Sequence, residues 1–355
     1  MPPNSTSSRQ PRPIRRVREP SGIKTSAEPN EFAAAIASGT RKAQLIAFPA
    51  TLILAIAAYL LALAGSALLD IKAPVLDGVP LCLGPGAFLC LYCRLAFPRA
   101  TRAAQAIEAA FMIVILGLSL ACLSYIAAMM DLPLRDREMS MIDRGLGFDW
   151  LQVMTGLDNW PAALKLLDGA YATFTLQLIG TVLVLLIAKR TRELDRFFVT
   201  FVCASILAEI ASIVIPTLGP MAALAGNHAF VNLPTVGRST GEIVLALRQG
   251  TLKSIDLGAI DGIISFPSLH AAVAVIVPFS LRWYKPLFWP VVAVDALMLV
   301  SAVPSGNHYL ADIFGGLAVA ALAIVCSPMV QGSLERLTGS LYRRSDVLWA
   351  HAKGE

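Results

Sequence analysis

Charged side chains are scarce in this sequence. Only 15% of its 355 residues are Asp, Glu, Lys or Arg, against about 25% in soluble domains. Length alone would suggest two or three soluble domains, but too little polar surface is left to cover them. Hydrocarbon takes its place: 56% of residues are hydrophobic and the mean hydropathy is +0.66. The chain reads as a polytopic membrane protein. Its six cysteines (Cys82, Cys90, Cys93, Cys122, Cys203 and Cys326) fall almost entirely inside apolar runs, where they behave as small hydrophobes. Cys90-x2-Cys93 has no second pair, so a zinc or redox site finds no support. The net charge of +5 is spread between the apolar runs, which reads as membrane topology and not as a nucleic-acid surface.

The N-terminal stretch lacks large apolar side chains. Met1 to Asn30 is rich in Pro, Ser and Arg and has no material for a core. It also lacks the short apolar segment and small-residue cleavage site of a signal peptide. Residues 1–44 are expected to form a disordered basic tail, attracted to anionic lipid by charge alone.

A membrane-crossing helix needs about 20 largely apolar residues. Candidates are Leu45–Leu69, Val79–Leu95, Ala109–Met130, Ala170–Ala188, Phe197–Ile215, Ile263–Leu281, Pro286–Val303 and Tyr309–Cys326. Val79–Leu95 is the weakest, being interrupted by Gly84-Pro85-Gly86. The expected fold class is all-α, a bundle of about eight transmembrane helices. Eight crossings place 21 of the 29 Lys and Arg residues on one side, with both tails, and leave eight on the other: Lys72, Arg135, Arg137, Arg144, Lys165, Arg238, Arg248 and Lys253. By the positive-inside rule both termini face the cytoplasm.

Two long loops then lie outside the cytoplasm. Asp131 to Asp168 mixes charges with Met139, Ile142, Leu146, Phe148, Trp150, Leu151 and Met154, a pattern that suits helices lying in the interface. Trp150 and Trp160 are expected anchors at headgroup depth. In the second loop Ser239-x-x-Glu242 has the form of a capping box opening a helix over Ile243–Gln249, closed by Gly250 and carrying Arg248 near its end.

Of four histidines, two sit at the non-cytoplasmic ends of different spans: His270 in Ser265-Phe266-Pro267-Ser268-Leu269-His270, and His308 in Gly306-Asn307-His308-Tyr309-Leu310-Ala311-Asp312. His308 and Asp312 are spaced to share one helix face. A carboxylate there can fix the tautomer of an imidazole and leave its other nitrogen free to attack. A helix starting near Ser265 aims N–H groups and its positive dipole end outward, which suits a phosphate. The Ser268 hydroxyl adds a donor, and His270 is placed to protonate a leaving oxygen. A plain helix cap explains Pro267 and Ser268 equally well, but not the histidine. Glu108, Glu209 and Asp295 also lie in or beside apolar runs, and packing roles are favoured for them because no motif surrounds them.

Phe266-Pro267-Ser268-Leu269-His270 followed by His308-Tyr309-x-x-Asp312-x-x-Gly315-Gly316 resembles the type 2 phosphatidic acid phosphatase superfamily. Within it the pattern is most similar to the branch containing the aureobasidin-sensitive inositol phosphorylceramide synthases. The resemblance implies a six-helix membrane core with extracytoplasmic catalysis. It implies that His308 is a nucleophile forming phosphohistidine, Asp312 its orienting acid, and His270 the general acid that later acts as base. Ser268 would help bind phosphate, and no metal or cofactor is required. Leu132 to Trp150 and Ile215-Pro216-Thr217-Leu218-Gly219-Pro220 look like further features of that branch, so the similarity covers Asp131 to Gly316. The implied layout is a tail (1–44), two additional N-terminal helices (45–105), a six-helix catalytic domain (106–328) and a cytoplasmic C-terminal tail (329–355).

The sequence departs from the broad family twice. Lys-x6-Arg-Pro is absent, and Ala302 stands after Ser301 where the third motif carries arginine. Arg248 is the first expected substitute as phosphate clamp, and Arg238 the second. Pro304-Ser305-Gly306-Asn307-His308 mimics the family's Pro-Ser-Gly-His with one residue inserted, and Asp312 assigns it to the third motif. The expected function is cleavage of a lipid phosphate in a bacterial cell membrane. A water acceptor would make the protein a phosphatase, and a lipid alcohol acceptor a head-group phosphotransferase. The alternative is a non-catalytic transporter or scaffold. A transporter would show paired charges at mid-membrane, whereas the polar residues here gather at one face.

Overall fold

Proline has no N–H and steers the residue before it away from the α region, so Pro267 stops a helix from running through residues 262–268. In the computed structural model, which describes residues 50–72, 86, 101–254 and 262–352, that stretch is non-helical and the helix begins at Leu269. Ser268 caps it, its Oγ accepting the Ala271 N–H at 3.3 Å. The span expected over Ile263–Leu281 therefore holds only 13 helical residues. That is about 20 Å of helix, shorter than the roughly 30 Å of a bilayer core.

Among the described residues the fold is all-helical, a helical membrane bundle. Its helices are α1 (Ala50–Leu68), α2 (Thr101–Ala128), α3 (Asp136–Gly145), α4 (Trp150–Leu157), α5 (Pro161–Tyr171), α6 (Thr173–Ile187), α7 (Thr191–Val214), α8 (Pro220–Leu224), α9 (Val236–Arg248), α10 (Leu269–Leu281), α11 (Lys285–Ser301) and α12 (Leu310–Ala352). Among the described residues four stretches are long and apolar enough to cross a membrane: Gln105–Ala128, Pro161–Ile187, Thr191–Val214 and Leu310–Leu334. The expected tail over 1–44 and the expected span Val79–Leu95, with Cys82, Cys90 and Cys93, lie outside the described residues.

α10 is the axis of the bundle. It packs against α6, α7, α11 and α12, and Ala272, Val273, Ile276 and Val277 are all buried, as expected of a helix apolar on every side. α1 shows the membrane form of amphipathicity. Small Ala55, Ala58 and Ala62 face the protein, while Leu60, Leu61 and Leu63 are exposed. Small residues let helix backbones approach closely where lipid removes the hydrophobic drive.

Several boundaries differ from the sequence reading. The span expected from Ala170 starts at Pro161, since Lys165 and Asp168 both turn to the exposed side and do not interrupt the buried stripe. α9 starts at Val236, so Ser239 is inside the helix. Its Oγ bonds back to the carbonyls of Thr235 and Val236, and the capping box does not form. Trp150 is not a headgroup anchor: it is 2% exposed and its Nε1 donates to the Val303 carbonyl at 3.2 Å. Trp160 is 68% exposed.

α12 is in close contact with the start of α10 at Gly316. A Cβ there would lie 2.1 Å from the Ser268 carbonyl oxygen. Gly316→Ala is expected to force these helix ends apart and to cost about 1–3 kcal/mol of overpacking strain, read as a lower thermal midpoint in detergent. An unchanged midpoint would show that the ends can separate freely.

Candidate active site

The sequence places His308 just ahead of α12, where Gly306, at φ +82°, turns the chain out of α11. His308 is 2% exposed, and its Nδ1 lies 2.9 Å from the Ser265 carbonyl oxygen. A carbonyl can only accept, so Nδ1 carries a proton, and in the neutral ring the lone pair is then on Nε2. The Asp312 Oδ2 is 3.6 Å from Nδ1, too far for a good hydrogen bond but close enough to stabilise an imidazolium. That oxygen accepts from Ser265 Oγ at 2.9 Å and from the Tyr309 N–H at 2.9 Å. Ser265 therefore links the pair: its carbonyl holds the histidine and its hydroxyl holds the aspartate.

His270, second residue of α10, faces the same space. Its ring stacks on Tyr171 at 4.0 Å and 13° and lies against Phe174 at 4.5 Å. Its centroid is 6.0 Å from that of His308. Ser268 is fully buried between them and α12, its N–H donating to the Asp312 carbonyl at 3.0 Å. His270, His308, Asp312 and Ser268 are thus gathered at one end of the bundle.

Two further residues escaped the sequence reading. Asp136 and Asp143 lie on one face of α3 and are buried with Met139 and Ser140, while Met141, Ile142 and Leu146 are exposed. Asp136 accepts the N–H groups of Leu218 and Gly219 (3.0 and 3.1 Å) and the Tyr309 hydroxyl (3.0 Å). Asp143 accepts the Leu310 and Ala311 N–H groups, both at 2.8 Å, and so caps α12. Burial pushes both carboxyls above their ordinary range, although these N–H donors act in the opposite sense. The seven-residue spacing is a helical-face signal, masked by the apolar residues between.

Arg238 and Arg248 both bond to backbone carbonyls, Arg248 also bonds to Asp131, and Arg248 lines a cavity together with Ser265 and Phe266. Arg248 is spread over the turn after α2, bonding the Met130 carbonyl (3.0 Å), the Asp131 carboxylate (2.9 Å) and the Leu132 carbonyl (2.5 Å). Among the described residues Arg238 makes long contacts, 3.4 Å to the Gly226 carbonyl and 3.3 Å to that of His228. Gly237 beside it donates its N–H to the Ser305 carbonyl at 3.2 Å, three residues from His308. Among the described residues no three His, Cys, Asp or Glu side chains converge as a metal-binding group.

A paired-imidazole site with a carboxylate at one end of a helical membrane bundle is an arrangement able to take and release a phosphoryl group. A family model described as the PAP2 superfamily matches residues 137–326, more than half of the chain and inclusive of His270, His308 and Asp312. The chain belongs to the PAP2 superfamily, whose members are phosphatases and phosphotransferases, and a phosphoric ester is the class of bond concerned. Comparison with curated proteins finds no match, and comparison with solved structures finds none.

The Arg248 geometry is that of a strut between α9 and the end of α2. Arg248→Lys should lower the thermal midpoint, because an ammonium cannot span these three oxygens, a loss of about 1–3 kcal/mol. The kcat/KM of the folded protein should change little. A fall in kcat/KM at unchanged midpoint would instead assign Arg248 to the phosphate.

Proposed function

We propose that the protein is an integral membrane enzyme that cleaves a lipid phosphate through a phosphohistidine on His308, with the site on the extracytoplasmic face. The observation that carries this reading is the His308 Nδ1 bond to the Ser265 carbonyl at 2.9 Å, which leaves Nε2 as the ring nitrogen available to attack. Nε2 attacks phosphorus, and His270 gives its proton to the departing alcohol. His270 then takes a proton from the acceptor while the phosphorus–nitrogen bond breaks. Asp312, near the Nδ1 side, stabilises the positive charge that His308 acquires.

Non-bridging oxygens need donors. The first N–H groups of α10 beside Ser268 supply some, since the start of a helix leaves them without intrahelical partners. Arg238 supplies the charge that Ala302 cannot. Its present bonds are long, so exchanging them for a phosphate costs less than releasing Arg248. The acceptor is water in a phosphatase or a lipid alcohol in a phosphotransferase of the inositol type. The proposed setting is a bacterial cell membrane with both termini in the cytoplasm, residues 45–105 being an addition to a six-helix catalytic core over 106–328.

His308→Ala and His270→Ala should each abolish turnover of a lipid phosphate panel while the protein still inserts. Asp312→Asn should retain weak activity, because the Ser265 carbonyl still holds the ring. Wild-type turnover in either histidine variant would overturn the phosphohistidine mechanism, and no turnover by the wild type on any member of the panel would leave the non-catalytic bundle as the better reading. The side of the membrane is tested separately in a background lacking native cysteines. Val231→Cys, at an exposed position, should react with an impermeant thiol reagent from outside, and Arg190→Cys should not. The opposite pattern would reverse the topology.

A further inference from the structure

Asn307 is the residue immediately before His308. Its main chain is fixed: the N–H donates to Ser305 Oγ at 3.3 Å, and Gly219 and Gly237 press directly on the backbone around it. The residue is 7% exposed, and its Nδ2 donates to the Tyr171 hydroxyl at 3.3 Å. Tyr171 in turn stacks on His270 at 4.0 Å. The amide is thus tied to both halves of the imidazole pair, by the chain to His308 and through the phenol to His270. Its Oδ1 is buried and accepts from no described residue. A buried acceptor left open is costly, and this one belongs to the residue next to His308 and is linked through Tyr171 to the ring of His270.

We propose that Asn307 positions the water that releases phosphate from His308, and that it selects water over alcohols as acceptor. This rests on the phosphohistidine reading above. Water carries two hydrogens, and the site offers an acceptor for each. Its oxygen bonds to phosphorus as the phosphorus–Nε2 bond breaks, and the electron pair of that bond returns to His308. One proton passes to His270, which has already given its own to the leaving alcohol. The other hydrogen donates to Asn307 Oδ1 and stays on the product, inorganic phosphate. An alcohol has a single hydroxyl hydrogen. Giving it to His270 leaves Oδ1 buried and unpaired, a mismatch that discriminates by roughly tenfold to a hundredfold. The Tyr171 hydroxyl occupies the amide nitrogen, so the oxygen is the end that remains for the nucleophile. On this inference the chain is a phosphatase in preference to a head-group transferase.

The test is product partition. Purified full-length protein is given phosphatidic acid labelled in its phosphate, with methanol at graded concentration, and methyl phosphate is measured against inorganic phosphate. This ratio does not depend on how much protein is folded. In the wild type inorganic phosphate should dominate beyond the molar share of water. Asn307→Ala should raise the methyl phosphate ratio about tenfold or more, and Asn307→Asp, which keeps an acceptor oxygen, should stay near wild type. Equal ratios in wild type and Asn307→Ala overturn the proposal, as does wild-type partition in simple proportion to methanol content. Acid-labile label on His308 with an unchanged ratio removes the role of Asn307 alone. Absence of that label removes the phosphohistidine reading and this inference together.

Discussion

The bond between His308 Nδ1 and the Ser265 carbonyl oxygen, 2.9 Å, meets a constraint that membranes impose. Non-helical backbone at membrane depth is tolerated only where protein satisfies its polar groups. Residues 262–268 are non-helical, and their partners come from elsewhere in the chain. His308 takes the Ser265 carbonyl, the Thr217 hydroxyl lies 3.2 Å from the Phe266 N–H, and the Asp312 carbonyl takes the Ser268 N–H at 3.0 Å. The shortened α10 and the fixed imidazole are therefore one feature. A helix continued back to Ile263 would have paired its own backbone and left His308 without an acceptor.

α3 extends the same economy to the loop. In water an amphipathic helix turns its apolar face inward. Here the two aspartates face the protein, and Met141, Ile142 and Leu146 are exposed, an arrangement suited to a helix lying at a lipid surface. The inward carboxylates hold the 216–219 turn through Asp136 and the start of α12 through Asp143. A segment without reacting groups thereby fixes the position of the histidine.

Much of this was legible in the sequence, for identifiable reasons. Helix existence follows from long apolar runs, and the spacing of His308 and Asp312 brings them together, although His308 lies just ahead of α12 and not on its face. The start of α10 was misplaced by four residues, although Pro267 and Ser268 both signal it, because the apolar run continues upstream through Ile263 and Ile264. Trp150 looked like an interfacial anchor because its partner, the Val303 carbonyl, is remote in sequence. The partners of Arg248 are hidden for the same reason: Met130, Asp131 and Leu132 belong to another helix end. Local pattern reveals which groups a residue carries, and only the fold shows which of them are already engaged.

The placement of charge at this end of the bundle bears on where a phosphate can bind. Asp136, Asp143 and Asp312 are all buried close to α12, and Asp312 adds to the upward push on the other two carboxyls. Such a cluster would repel a phosphate approaching the N-terminus of α12. That terminus is already committed: its N–H groups at Tyr309, Leu310 and Ala311 serve Asp312 and Asp143, where the positive end of the helix dipole favours anions. α10 is different. Its cap uses the Ser268 hydroxyl, a neutral group, and adds no negative charge. Of the two helix starts that meet at the imidazoles, only that of α10 keeps its dipole end uncompensated by a carboxylate. Under the proposed reading the two termini divide the work: α12 spends its positive end on holding His308 in place, and α10 offers its own to the phosphate.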